Sequence, residues 1–462
     1  MLKRTLSLVV FVLLYGPSIC RGQQSASLPP APLPLFALQA QALPQGGAIA
    51  SADREETLTR QQAEQLALKN NPSVSVAALI ALAQRQVVRE TRSGELPSLF
   101  GNATGVAAEQ ATRIGSGELS ASQLLNHVGA GAQLSQLITD FGRTPNLVAS
   151  SSLQAKAAEQ DALATRNDIV LATDLAFYRA LEAQATLQVA NSTVDARKSV
   201  NDQVSALTAS KLKSTLDQSF AEVNLSQARL LVLDSQNQAD AAMAQLNDLL
   251  GSSTEHHYRL MDDLNPPPTF APSPEEIIAL AIQQRPDLKS LQLMHDADLR
   301  FSSAQHRQFL PTISARGIVG ITPVGSSTYF TPDWYGAAGV NISIPIFNGF
   351  KFSAEAAEAD LRAKASDQLS RQLLDRIVRD VKTAWLAANT AQQRMSVTAE
   401  LLKEANTALD LAQTRYQLGL SSIVELSQAQ LQQTQAQIDE ADARFEFEAD
   451  LAALQFQSGS QP

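Results

Sequence analysis

The sequence predicts a mainly α-helical chain with a small β part, built twice from one unit. Three observations predict it. Residues recur at constant offsets, two stretches of about 67 residues lack glycine and interior proline, and short segments alternate apolar with polar residues. The composition agrees: 44% of the 462 residues are hydrophobic and only 5% aromatic. There is apolar material for a core, in a balance that fits long Ala/Gln-rich helices better than compact globules. The 46 acidic and 36 basic residues leave a net charge of −10, which argues against nucleic-acid binding. The one cysteine, Cys20, excludes an intramolecular disulfide and any cysteine-cluster metal site. No internal run approaches the ~20 apolar residues of a membrane-crossing helix.

Residues 1–22 read as an export signal. Lys3 and Arg4 precede the apolar run Leu6–Tyr15, and small residues at Ser18, Cys20 and Gly22 offer a cleavage site. Ile19 makes a poor lipidation context for Cys20. Removing the signal leaves 33 basic against 46 acidic residues, a charge of −13. Residues 23–56, rich in Pro, Ala, Gln and Ser without periodicity, read as a flexible leader.

The repetition organises the rest into a first unit at 57–251, a connector at 252–272 and a second unit at 273–459. At an offset of 214, Thr59–Gln62 matches Ser273–Glu276, each a hydroxyl followed three residues later by Gln or Glu, the capping-box start of a helix. The same offset pairs Leu66 with Leu280, Pro72 with Pro286, and Leu96-Pro97 with Leu310-Pro311. After a six-residue length difference the offset is 208, pairing Ile169 with Ile377, Phe177 with Trp385, Leu212 with Leu420, Asp217 with Glu425, and Gly251 with Gly459.

Each unit reads as helix, two strands, long helix, shorter helix. In the second unit Ile313, Ala315, Gly317, Val319 and Ile321 share one strand face, opposite Thr312, Ser314 and Arg316. The next strand sets Val340, Ile342, Ile344 and Ile346 against Gly339, Asn341, Ser343 and Pro345. Aromatics gather between the two, from Tyr329 to Tyr335. A membrane barrel wall and an ordinary soluble hairpin both satisfy this pattern. The first pair, about 98–108 and 127–138, alternates more weakly and is rich in Gly and Ala. Residues ~143–209 and ~351–417 each permit one helix of about 100 Å, at 1.5 Å per residue. Leu374, Ile377, Val381, Ala384 and Ala388 are spaced as a helix-packing seam, so a coiled-coil rod is also open. Four strands cannot close a membrane barrel and an open edge in lipid is costly, so membrane entry would force oligomerisation. Three copies would supply twelve strands.

Catalytic chemistry finds no footing. None of His127, His256, His257, His295 and His306 has metal-binding spacing, and Glu255-His256-His257 sits in the connector. No phosphate loop, G-x-S-x-G elbow or cysteine nucleophile appears. The residues predict no enzyme.

The duplicated unit, Asn71-Pro72 and Arg285-Pro286, the Leu-Pro pairs before strands, Pro345–Gly349 and above all Arg415–Leu426 with Ser427, Gln428 and Ala429 resemble the TolC-like outer-membrane efflux proteins, over about 57–459. The resemblance implies a homotrimer in the bacterial outer membrane, with a twelve-stranded β-barrel in the lipid continued by a long α-helical barrel through the periplasm. It implies a passive duct that docks a periplasmic adaptor protein and an inner-membrane pump, without cofactor or metal. By position, Gly419, Leu420 and Ser421 would form the adaptor-docking tip, with Leu212 in the first unit. Lys211-Leu212-Lys213 departs by lacking glycine. Glu425 and Asp217 would line the tunnel entrance. Gln428 replaces a second acid there and Ser421 an arginine, which leaves Tyr416 as a candidate for holding the entrance closed. Ile313, Val319, Val340, Ile342 and Ile344 would face lipid. A periplasmic coiled-coil scaffold without pore activity is the alternative.

Overall fold

The computed structural model describes residues 56–107, 113–114, 122–123, 127–252, 258–262, 273–321 and 334–459. The export signal with Cys20, the leader up to residue 55, Tyr329-Phe330 and Glu255-His256-His257 lie outside the described residues.

Strand β1 (Glu56–Leu58) pairs in parallel with β6 (Tyr258–Leu260), so the predicted leader ends, and the predicted connector is interrupted, at a small two-stranded sheet. Helix α1 (Arg60–Asn70) starts at the expected capping box: Gln62 N–H donates to the Thr59 hydroxyl at 3.3 Å and Thr59 N–H to the Gln62 side chain at 3.0 Å. Asn71 ends α1 and caps α2 (Pro72–Ser93), accepting from Ser73 N–H at 2.9 Å. Pro72 has no N–H to continue the first helix, and the chain bends there by 49°. The corresponding pair is α5 (Pro274–Gln284) and α6 (Pro286–His306). Here the expected box is altered: the Ser273 hydroxyl accepts from Glu275 N–H, not from Glu276, because Ser273 Oγ also donates to the Glu275 carboxylate at 2.5 Å.

Two long helices, α3 (Arg143–Ala209) and α7 (Lys351–Gln417), each run 67 residues, and two shorter ones return, α4 (Thr215–Leu249) and α8 (Ile423–Ser458). Near the strands α2, α3, α6 and α7 lie side by side; farther away the order is α4, α3, α8, α7. The layer stays four helices wide because each short helix takes over from another. Ile377, Val381 and Ala388 of the predicted seam are fully buried, with Leu373, Ala384 and Trp385 packed around them. The layer's two margins carry exposed apolar residues: Val76, Leu79 and Ile80 on α2 and Val223, Leu230 and Leu233 on α4 at one side, Leu361, Leu386, Val397 and Leu401 on α7 at the other.

The four principal strands, β2 (Ser98–Val106), β5 (His127–Thr139), β7 (Thr312–Ile321) and β8 (Trp334–Ser343), form one antiparallel sheet in that order. A ribbon of β3 (Arg113–Ile114) and β4 (Ser122–Gln123) lies between β2 and β5 in sequence. The strand predicted to include Ile344 and Ile346 ends at Ser343. Thr312 pairs with Ser343, so a further step would set Ile344 opposite Pro311 and continue into Pro345, and neither proline has an N–H for the ladder.

Candidate functional site: the sheet face and the hairpin tips

Directly paired residues of an antiparallel sheet share a face. The pairings Leu99↔Leu134↔Gly317↔Ala338, Ala132↔Val319↔Gly336 and Ile313↔Ile342 therefore build one face across all four strands. It also carries Val128, Ile321, Trp334 and Val340. The opposite face carries Asn102, Thr104, Gln133, Ser135, Ser314, Arg316, Asn341 and Ser343, with Phe100, Ile318 and Tyr335 among them. Leu99, Val128, Leu134, Val319, Val340 and Ile342 are all exposed. Of the lipid-facing residues read from sequence, Val319, Val340 and Ile342 stand on this apolar face, Ile313 is half-buried at its helical end, and Ile344 lies one residue past the strand. Leu99, Val128 and Leu134 escape sequence reading because Gly and Ala dilute the first pair's alternation; only the register shows that their face continues the second pair's.

At the far end, α7 and α8 are joined by a tight turn. Gly419 takes φ +72°, and Leu420 N–H donates to Arg415 O at 2.8 Å, closing the last turn as a Schellman motif. The Ser422 hydroxyl caps α8, accepting from Glu425 N–H at 3.3 Å. The α3–α4 tip makes the same turn without glycine. Lys211 adopts φ +59°, Leu212 N–H donates to Leu207 O at 2.9 Å, and Ser214 and Asp217 form a reciprocal capping box. Missing glycine therefore does not change the turn; it places roughly 1–2 kcal/mol of left-handed strain on Lys211. Leu212, Leu216, Leu418 and Leu420 stand exposed at the two tips.

The predicted entrance residues divide into two environments. Glu425 is exposed and pairs with Arg415, Nε to Oε1 3.2 Å, and Gln428 is exposed one turn further. Tyr416 instead is buried, in a cluster with Val204, Ala221, Ala412, Ile423, Leu426 and Ala429 that binds the two hairpins together. Lys213 Nζ stands 4.3 Å from the centre of its ring. Burial, and then the Asp217 charge, raises the Tyr416 hydroxyl pKa. Further along, the α3–α8 seam is polar: Arg197 donates to Gln430, and Thr193 and Thr434 hydroxyls meet at 3.5 Å. Asn224 donates to Ser427 at 2.7 Å from α4. Burial pulls the Arg197 guanidinium down to about 10. Sequence reading passed over Arg197, although its place one turn after Thr193 on a seam-facing stripe was a usable signal.

Nearer the small sheet, Asp174 is buried on α3 beside α1. Arg60 Nη1 lies 2.5 Å from Glu64 and 3.4 Å from Asp174. Burial pushes the Asp174 carboxyl up to about 7, aided by the Glu64 charge and opposed by Arg60.

A sheet with one exposed apolar face, carried on about 100 Å of helix layer, defines a membrane-anchored helical conduit of the outer-membrane channel class. The family model described as outer membrane efflux protein matches residues 63–252 and again 277–460. The chain belongs to the outer membrane efflux protein family, a family of transport channels of the bacterial outer membrane. It is 25% identical over 402 residues to outer membrane protein OprJ of Pseudomonas aeruginosa, covering 84% of this chain and 81% of that one. To outer membrane protein TolC of Escherichia coli it is 22% identical over 403 residues, covering 84% and 79%. Its fold matches the Campylobacter jejuni CmeC outer membrane channel with a TM-score of 0.76 at 18% identity, covering 87% and 85%.

Proposed function

We infer that this chain is the outer-membrane duct of a tripartite efflux or secretion system, passing substrates from a periplasmic adaptor and an inner-membrane pump to the exterior. The observation that carries this reading is the continuous apolar face of the four-stranded sheet, exposed from Leu99 to Ile342. An isolated four-stranded sheet in lipid leaves its β2 and β8 edges unpaired, at several kcal/mol per backbone group. Pairing β8 of one copy with β2 of the next removes both edges, and three copies give a closed ring of twelve strands with the polar face inside. The apolar margins on α2 and α4, and on α7, fit the same closure. The exposed leucines of the tips are the surface offered to the adaptor.

Planar-bilayer recording of detergent-purified protein tests the reading. Discrete, long-lived, cation-preferring steps are expected; a folded helical oligomer that gives none counts against a duct. For the tip, Gly419→Trp should abolish export while leaving the oligomer intact. The strain at φ +72° and the bulk at an open position both act there. Unchanged export would remove the docking role.

A further inference from the structure

Strand β8 is poorly equipped to choose its own register. Gly336, Ala337, Ala338 and Gly339 fill its middle, and small side chains specify pairing weakly. One row across the sheet supplies what they lack. Asn102, Gly131, Gly320 and Tyr335 are paired in sequence across β2, β5, β7 and β8, on the polar face. The Tyr335 side chain lies along this row. A Cβ placed on Gly320 would stand 2.7 Å from its hydroxyl oxygen and 2.9 Å from its Cζ, and one on Gly131 would stand 3.3 Å from the hydroxyl. The ring thus occupies space that two absent side chains leave on two neighbouring strands.

We propose that Tyr335 is the positioning residue that fixes the register of β8, and with it the edge that closes on the next copy, by seating its ring over Gly320 and Gly131. The closing edge rests on the trimeric duct proposed above; the register does not. A slip of two residues one way would put Tyr335 opposite Ile318, whose side chain fills the seat. The same slip the other way would carry it past Ile321, the end of β7. A two-residue slip leaves every β8 side chain on its own face, so the apolar alternation does not choose among these registers; only the observed one sets Ala315 opposite Val340. A ring laid over glycines on adjacent strands is a known means of pinning such pairs.

Cysteine pairs read the register directly. Under copper–phenanthroline oxidation, Ala315→Cys with Val340→Cys should cross-link about tenfold more than Ala315→Cys with Ala338→Cys or with Ile342→Cys, the partners of the slipped registers. Cross-linked peptides are identified by mass spectrometry, which sets Cys20 aside. Tyr335→Ala should bring the three yields close together, whereas Tyr335→Phe should keep the preference. An undiminished preference in Tyr335→Ala overturns the proposal. These links form within one chain, so absence of oligomers would sink the duct while the cross-link yields still decide the role of Tyr335.

Discussion

The two halves of the molecule share a backbone plan and differ in the chemistry placed on it. Helices α3 and α7 have equal length, both tips turn through a left-handed residue, and both strand pairs join one sheet. Yet the left-handed residue is Lys211 in one half and Gly419 in the other, and the buried Asp174 stands 208 residues before Lys382. Caps, turns and the apolar stripe are enough to hold the plan, so charge was free to diverge. The sheet shows the same principle in reverse. The half with weak alternation and the half with strong alternation contribute to one apolar face, because register rather than composition assigns the side.

The sharpest way to break that equivalence is to load both halves alike. Leu134→Arg and Val340→Arg should each cost about 2–4 kcal/mol if their positions lie near the bilayer midplane, and both should deplete membrane-inserted oligomer on semi-native gels. Asn341→Arg, one residue away on the polar face, should leave the oligomer yield unchanged. Normal yield for Leu134→Arg alone would mean that the first half does not face lipid.

The carboxylate between α1 and α3 has no counterpart in the second half, and pH exposes it. Asp174 titrates near 7 in the folded chain and near 4 when unfolded, so between those values the folded state holds the extra proton. Its contribution is therefore greatest below about pH 4, declines as pH rises to about 7, and is level above. Asp174→Asn should remove that decline, so melting curves of the variant should gain on the unaltered chain as pH rises from 4 to 7. Parallel curves across that range would show that Glu64 and Arg60 already compensate the charge.

Much of this plan was legible in advance. The two 67-residue helices followed from the absence of glycine and interior proline, whereas the turn at Gly419, Leu420 and Ser421 came from the family resemblance and the turn at Lys211, lacking glycine, was the doubtful one. The strand limit at Ser343 was misread, because the apolar alternation runs on to Ile346 although Pro311 and Pro345 both lack an N–H for the ladder. What the chain did not disclose depends on contacts between distant segments. The β1–β6 pair joins residues far apart in sequence, Tyr416 is buried by helices of both hairpins, and Arg197 finds Gln430 only once α3 and α8 are side by side. Three-residue strands and single seam positions carry too little periodicity to announce such meetings.

A smaller effect separates the tips. Lys211→Gly should stabilise the chain by about 1 kcal/mol, by relieving left-handed strain, while Gly419→Ala should destabilise it by a similar amount. Thermal melts of the two variants should shift in opposite directions. A shift of the same sign in both would mean that the tips differ in more than the residue at the turn.

The smallest stability change, and the most specific functional one, belongs to the acids that follow the tips. Asp217 is held by its own helix start, its carboxylate accepting from Ser214 N–H at 3.2 Å and from the Ser214 hydroxyl at 3.1 Å. Glu425 is turned instead toward Arg415, whose counterpart in the first half is Leu207. An exposed pair of this kind carries at most about 1 kcal/mol, so Glu425→Gln should barely move the melting temperature. In a three-fold duct it should nonetheless weaken cation preference, because each copy loses a carboxylate from the same ring. Arg415→Gln should strengthen that preference by leaving Glu425 unpaired. Asp217→Asn should do the reverse of Glu425→Gln, lowering stability through the lost cap while changing ion preference less. Reversal potentials across a salt gradient, measured for all three variants, separate a selective carboxylate from a structural one. Equal shifts for Asp217→Asn and Glu425→Gln would show that both halves line the entrance alike.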